Sequence, residues 1–530
     1  MQFFFACLAF LAQLADGKIV WGTATAAYQV EGYRSAGGRT KSIWDAFDTP
    51  GDGLCIKAVK PNGKPNVANN QSGARADEDY MRFSESLDLA RSFGFGAARL
   101  SISWSRVMTY SIDKETGKLR WVRNEHGLAH YKTVLRKYTS ANVKVALTMF
   151  HWDLPLSIEE HAMGMACGSA WLCHEWIGDV FEDYAALLLH ELGDLVTWWI
   201  TINEPLTIVN SGYANGDHAP GRCSNRELCW HGDSRIEPYV AAKGLLLAHA
   251  RAFRAWERAG KPGVSCGILL SGDWRIPFTS SEDDKAAALR ALEWQSPIFA
   301  DPIHFGKWPD SVQSAAGVRV PVWTDAEIAL VNGSHDSHFF MNHYTTLFAK
   351  ALHNNSQCGW TCDAHANVSG YNFTSGKAIG TPSSNGWLFN YGPGLGELVA
   401  WYNQRYKGLR YIIAENGWGD QTASSKIHDL LDSERCNYYR DYIGNLSAVV
   451  ARENITVDAF FAWSLMDNFE WADGYTTRFG LTYVDYDTQH RTAKLSATWF
   501  RSFITSLSNL PNDGQPLPAC DSSSVVDRLI

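Results

Sequence analysis

The sequence predicts an α/β fold, a single closed (β/α)8 TIM barrel with elaborated loops at its C-terminal face. Three observations lead there. Short apolar, β-branched runs alternate with longer segments of 3.6-residue periodicity, a rhythm that favours parallel strands joined by helices. Eight such runs follow one another without a linker, at residues 18–23, 97–103, 143–150, 196–202, 265–271, 338–342, 411–414 and 457–463. Polar and aromatic residues gather where those runs stop, as a barrel with its chemistry at the strand C-termini requires.

Each element has its own reason. The first run, KIVWGT, is apolar up to a Gly-Thr exit, and ARLSIS and VALTMF follow as the second and third. The fourth, VTWWITI, is dense in β-branched and aromatic residues, which suit a pleated, buried strand. SCGILLS and HFFMN are the fifth and sixth, and YIIA and VDAFFAW complete the set. Helical periodicity fills residues 77–93, 125–138, 175–192, 238–259, 393–406 and 433–450. An open, doubly wound sheet would share the alternation, and the count of eight favours closure. Residues 16–508 therefore form one domain, followed by a Pro- and Ser-rich tail at 509–530 that is expected to be loosely held.

Composition narrows the function. At 530 residues, 45% hydrophobic and 19% charged, the chain is no disordered segment. Net charge is −9 and no basic run occurs, which argues against a nucleic-acid groove. Residues 1–15 hold an apolar run too short to span a bilayer, and a secretory signal peptide fits them. No later apolar run reaches 18 residues, so no stable membrane insertion is expected. Seven sequons, at Asn70, Asn332, Asn354, Asn367, Asn372, Asn445 and Asn454, agree with export and glycosylation. Three close cysteine pairs, Cys167/Cys173, Cys223/Cys229 and Cys358/Cys362, suit disulfides in an oxidising compartment. A metal knuckle at Cys358, Cys362 and His365 is the rival, but it lacks a second half of matching spacing. Cys266, within SCGILLS, reads as a buried free thiol.

Two glutamates carry the chemistry. Glu204 lies in TINEP after the fourth run and Glu415 in AENG after the seventh. In a closed barrel those strands stand on roughly opposite sides of the mouth. Two carboxylates bracketing one bond are what glycoside hydrolysis needs. Arg99 is expected to hold Glu415 charged, and that charge to hold Glu204 protonated. Either glutamate alone would read as a solvated loop residue. Gln29, His151, Asn203, Asn342, Tyr344, Trp463, Glu470 and Trp471 at neighbouring strand ends make a site of them.

The motifs, in order, are WGTATAAYQVEG at 21–32, LSISWSR at 100–106, FHWDLP at 150–155 and TINEP at 201–205. NHYT at 342–345, AENG at 414–417, WSLMDNFEWADGY at 463–475 and RFGLTYVD at 478–485 complete them. With them the chain resembles the glycoside hydrolase family 1 β-glucosidases from about Val20 to Phe503. The resemblance implies a retaining double displacement, with Glu415 as nucleophile and Glu204 as acid, later base. It implies that Arg99, Tyr344 and Asn342 support the nucleophile. Gln29, His151, Asn203, Trp463, Glu470 and Trp471 would hold the non-reducing sugar, and Trp387 would lie under the leaving group. The implied partner is a small-molecule β-glycoside or oligosaccharide, and neither cofactor nor metal is called for.

Glu204 separates the chain from plant myrosinases, which resemble this family but carry Gln there. The Glu470-Trp471 pair disfavours a phosphorylated sugar, and both carboxylates argue against a sugar-binding pseudoenzyme. Transglycosylation uses the same two carboxylates and stays open. Departures also occur. Ala414 stands where the family usually has Thr or Ser, and Leu156 where Gln is common. Residues 159–175 and 353–390 follow no family pattern apart from Trp387, and both flank the expected leaving-group entrance.

Overall fold

A computed structural model describes residues 19–521, apart from 52, 54–55, 114–118, 354–358, 424 and 510–516. The expected signal segment at 1–15, Asn354 and Cys358 lie outside the described residues. Eight parallel strands close into a barrel: β1 (Val20–Ala24), β2 (Ala97–Ser101), β3 (Lys144–Phe150) and β4 (Trp198–Asn203), then β5 (Ser265–Ser271), β6 (His338–Asn342), β7 (Arg410–Asn416) and β8 (Val457–Trp463). Each strand pairs with its chain neighbours and β8 pairs back onto β1, so no edge is left. All eight expected runs are strands, and closure excludes the open doubly wound sheet.

The six expected helices are found at Asp79–Ser92, Glu125–Ser140, His174–Leu192, Glu237–Arg258, Pro393–Arg405 and Ser433–Glu453. Their apolar faces pack on the barrel's outer surface. Asn124 caps Glu125–Ser140, its side-chain oxygen accepting from the His126 amide at 3.2 Å. Trp199, Ile200, Ile412 and Phe461 are wholly buried and fill the barrel and its jacket.

Two strands break the regular ladder. The pairing of β4 with β5 shifts between Ile200 and Asn203. That of β7 shifts on both sides, between Ile413 and Glu415 against β6 and between Ile413 and Asn416 against β8. Such irregularities re-aim side chains at the end of a strand, and here they come just before Glu204 and at Glu415. Gly417 follows immediately, where any Cβ would run into the Trp463 carbonyl of β8. A glycine is the residue that permits this approach.

Loops elaborate the C-terminal face. A three-stranded sheet joins Trp274–Pro277, Thr346–Ala351 and Ala366–Ser369, the last pair antiparallel. Cys167–Cys173 and Cys223–Cys229 form the expected disulfides. Cys362 is disulfide-bonded, and Cys266 is a buried free thiol. The tail corrects an expectation. Cys520 is joined to Cys436 across 84 residues, and the Trp499 indole donates to the Pro518 carbonyl at 2.8 Å, so residues 517–521 are tied to the barrel. The long sequence separation hid that pair. Asn70, Asn332, Asn367 and Asn454 are exposed, and Asn372 is half-buried. Asn445 is half-buried on a helix, its amide donating to the Asp441 carbonyl at 2.8 Å. No described helix is long and apolar enough to cross a membrane.

Candidate active site

The strand ends open into a cavity of about 880 Å³, within the size range of small-molecule sites. Glu204 and Glu415 both line it, with His151, Tyr344, Trp387, Trp463, Glu470 and Trp471. These eight were all expected there.

Glu415 is clamped. The Arg99 guanidinium forms an ion pair with its Oε1, and the Tyr344 hydroxyl donates to Oε2 at 2.6 Å. Arg99 is itself fixed, because its Nε donates to Thr148 Oγ1 at 3.0 Å and its Nη2 to Asn203 Oδ1 at 2.8 Å. Burial and the Glu415 charge push the Tyr344 phenol well above its ordinary range, so it stays a donor. Both carboxylate oxygens are thereby engaged and the group is held in one orientation.

Glu204 is treated differently. Its backbone adopts a left-handed conformation, φ 43° and ψ 68°, ahead of Pro205, which disfavours a helical residue before it. Non-glycine residues in this region are strained and concentrate at functional sites. Trp152 and Trp471, which line the same cavity, also have positive φ. Asn342 Nδ2 donates to Glu204 Oε1 and Thr207 Oγ1 to Oε2, each at 2.6 Å. Burial first, and the Glu415 charge second, raise the Glu204 carboxyl to about 7. Burial thus outweighs the neighbouring charge, which alone was expected to act.

Asn342 is a correction. Expected to support Glu415, its side chain binds Glu204 instead. It pairs with Glu415 through the backbone ladder, but its amide reaches across to Glu204.

The sugar-facing groups form a second layer. Gln29 is fully buried, and its Nε2 faces Asn468 Oδ1, the Phe469 carbonyl and Glu470 Oε2 at 3.0–3.2 Å. Its Oε1 has no partner among the described residues. Burial, with the charges of Asp473 and Glu415, raises the Glu470 carboxyl well above its usual range. Burial and Arg99 push His151 far below its usual range, leaving a neutral ring. Arg99 Nη2 lies 3.4 Å from His151 Nδ1. Asn203 Nδ2 lies 3.3 Å from Nε2, so both ring nitrogens face donor groups. Trp463 and Trp471 lie nearly parallel to that ring, each at 5.9 Å. Trp387 is 45% exposed and meets Tyr344 edge-on at 5.8 Å. Asn203 is buried behind the cavity, held by Arg99.

Several functional residues escaped the sequence reading. Thr207 and Thr148 anchor Glu204 and Arg99, and Trp152 donates from its indole to the Asn203 carbonyl at 3.0 Å. Trp152 sits inside FHWDLP and was within reach. The two threonines had no distinguishing pattern. Trp360, from a segment with no family counterpart, also lines the cavity.

A carboxylate ion-paired with an arginine, sharing one cavity with a carboxyl raised to about 7, can attack an electrophilic carbon while a leaving oxygen takes a proton. Comparison with known proteins agrees. The family model for glycosyl hydrolase family 1 matches residues 13–508. Beta-glucosidase 1B of Phanerodontia chrysosporium is 36% identical over 495 residues, which are 92% of this chain and 85% of that protein. A rice Os3BGlu6 beta-glucosidase mutant, solved in a covalent complex with Glc, superposes with TM-score 0.81 at 34% identity, covering 91% of this chain and 97% of that one. A family 1 beta-glucosidase from the fungus Humicola insolens, in complex with glucose, superposes with TM-score 0.82 at 34% identity, covering 92% and 98%. With its closed barrel and paired carboxylates, the chain belongs to glycosyl hydrolase family 1 and is a glycoside hydrolase.

Proposed function

We propose that the protein is a secreted retaining β-glucosidase that removes terminal non-reducing β-D-glucosyl residues. The observation that carries this is the asymmetry of the two carboxylates. Glu415 is ion-paired with Arg99, while Glu204 is raised to about 7. In the first step a Glu415 oxygen attacks the anomeric carbon, the bond to the leaving oxygen breaks, and Glu204 gives that oxygen its proton. In the second, Glu204 takes a proton from water, whose oxygen attacks the same carbon and releases Glu415. The beta-glucosidase names of the relatives and the covalent Glc complex of the rice mutant support glucose as the sugar and an ester as intermediate. Export rests on the apolar residues 1–15 and the exposed sequons.

The test is intact mass after incubation with a 2-deoxy-2-fluoro β-glucoside bearing a good leaving group. One added fluoroglucosyl unit on the peptide holding Glu415 is expected. No adduct, with the galactose and mannose analogues also silent, overturns the reading. Adding an alcohol acceptor during turnover and analysing the products separates hydrolysis from transglycosylation.

A further inference from the structure

Tyr28 stands between the two segments that carry the sugar-facing groups. It precedes Gln29 in the short helix Ala27–Val30. On the other side its ring lies 6.1 Å from that of Trp471, nearly parallel at 8°, and meets Phe469 edge-on at 5.9 Å. Phe469 and Trp471 flank Glu470 in the chain. Gly73 abuts the Tyr28 ring, since a Cβ there would come within 2.6 Å of it. Tyr28 and its partner Asp48 are both buried, behind the cavity rather than in its lining.

Asp48 holds the Tyr28 hydroxyl. Tyr28 donates to Asp48 Oδ2 at 2.7 Å, and the Gly73 amide donates to the same oxygen at 2.9 Å. Thr49 Oγ1 donates to Oδ1 at 2.8 Å and accepts in turn from Arg34 Nη1 at 3.0 Å. Three donors thus point at one carboxyl group, and a charged acceptor binds such donors more strongly than a neutral one. Burial, working against those three donors, raises Asp48 to about 6. The charged and titratable groups around it are Arg34 at 3.9 Å, Asp45 of the same helix Ile43–Asp48, and Arg39, which pairs with Asp45 at 2.9 Å. The phenols of Tyr28 and Tyr475 complete the set. Side chains in a close-packed site do not shift independently, so the seat of the Tyr28 ring and that of Trp471 are linked.

We propose that Asp48 is a positioning residue: through the Tyr28 hydroxyl it fixes Trp471 and Glu470, and so sets the affinity for the terminal glucosyl unit. The inference rests on the β-glucosidase reading above and adds to it a residue that touches neither substrate nor reacting atoms. Its test measures competitive inhibition by free glucose, with p-nitrophenyl β-glucoside as substrate and active sites counted by trapping with the 2-deoxy-2-fluoro β-glucoside. Asp48→Asn keeps the shape of the side chain and removes its charge. The glucose Ki of this variant is expected to exceed the wild-type value about fivefold at about pH 7. The ratio of the two is expected to fall toward one at about pH 5, where the wild-type group is itself protonated. Turnover per counted site is expected to change less than about twofold. Tyr28→Phe is expected to raise Ki to a similar extent, and the double variant to go no further than the larger single effect. Counting sites makes each comparison independent of any unfolded fraction. A wild-type Ki in Asp48→Asn at about pH 7 overturns the proposal, and the β-glucosidase reading stands. A ratio that does not vary with pH, or effects that add in the double variant, also overturn it, because a residue that only braces the fold gives those results. No turnover of p-nitrophenyl glucoside by the wild-type chain overturns both.

Discussion

The two halves of the cavity are made by opposite means. The half that holds the carboxylates is built from strand ends, and its polar groups are clamped so that they face inward. Arg99 comes from β2, Glu204 from just beyond β4, Asn342 from β6 and Glu415 from β7, so four separate strands meet in one network. The other half includes the loop segment around 359–369, which hydrogen bonds to Arg319, Tyr239 and Arg290 pin in place. One half leaves charged groups poised for chemistry. The other is a loop wall held still by its own hydrogen bonds. Rigid strand ends position reacting atoms, while a loop sets what may sit beside them.

Variants can break that contrast, beginning where the effect is greatest. Glu415→Gln removes the attacking oxygen while keeping volume, and hydrolysis of aryl β-glucosides is expected to fall by roughly 10⁴-fold or more. Retention of more than a tenth of the wild-type rate in steady-state assays would remove Glu415 as nucleophile.

Glu204→Gln is expected to cost poor leaving groups about 10²–10⁴-fold and activated phenols far less, because a phenolate leaves without help. The same residue sets the pH profile. Its folded value is about 7, so the protonated acid is present below that pH and is lost as pH rises through it. The alkaline limb of kcat/KM therefore falls near pH 7 in the wild type and disappears in Glu204→Gln. Equal losses for both leaving-group classes would sink its role as acid.

A third variant strikes the scaffold under the strand-end half. Asp467 is buried, accepting from Lys494 at 2.6 Å and Arg478 at 2.7 Å, and also from the Gly480 amide at 2.9 Å. Asp467→Ala leaves Lys494 without its carboxylate, while Arg478 keeps Asp429 at 3.6 Å, and is expected to cost about 3–5 kcal/mol, measured by urea unfolding. A loss below 1 kcal/mol would show that water reaches the network. The smallest change concerns the other half. Asp363→Ala removes the acceptor of Arg319 and Tyr239, and urea unfolding is expected to show a loss of about 1–3 kcal/mol with the fluoroglucosyl trapping at Glu415 preserved.

Legibility followed the same division. The eight strands and six helices were readable because periodicity is a local property, and so was the gathering of His151, Glu204, Glu415 and Trp463 where apolar runs end. Asn342 was assigned to the wrong carboxylate, since its backbone neighbour and its side-chain partner differ. Thr148 and Thr207 left no mark, because a hydroxyl's partner is chosen by three-dimensional approach. The Cys436–Cys520 bridge joins residues 84 apart, a distance no spacing rule spans.

The order of apolar runs and turn residues is enough to specify a closed barrel, for burial of alternating faces depends only on the order of side chains along the chain. The motifs at the ends of those runs likewise single out the two carboxylates that share the cavity. Only the folded molecule decides the protonation of Glu204, because desolvation and charge act through space. There Glu204 is buried beside Glu415 and raised to about 7, and Arg99 is carried from β2 to the end of β7. The wall at 359–369 belongs to the same class of facts, for where its hydrogen bonds turn depends on Arg319, Tyr239 and Arg290 arriving from distant parts of the chain.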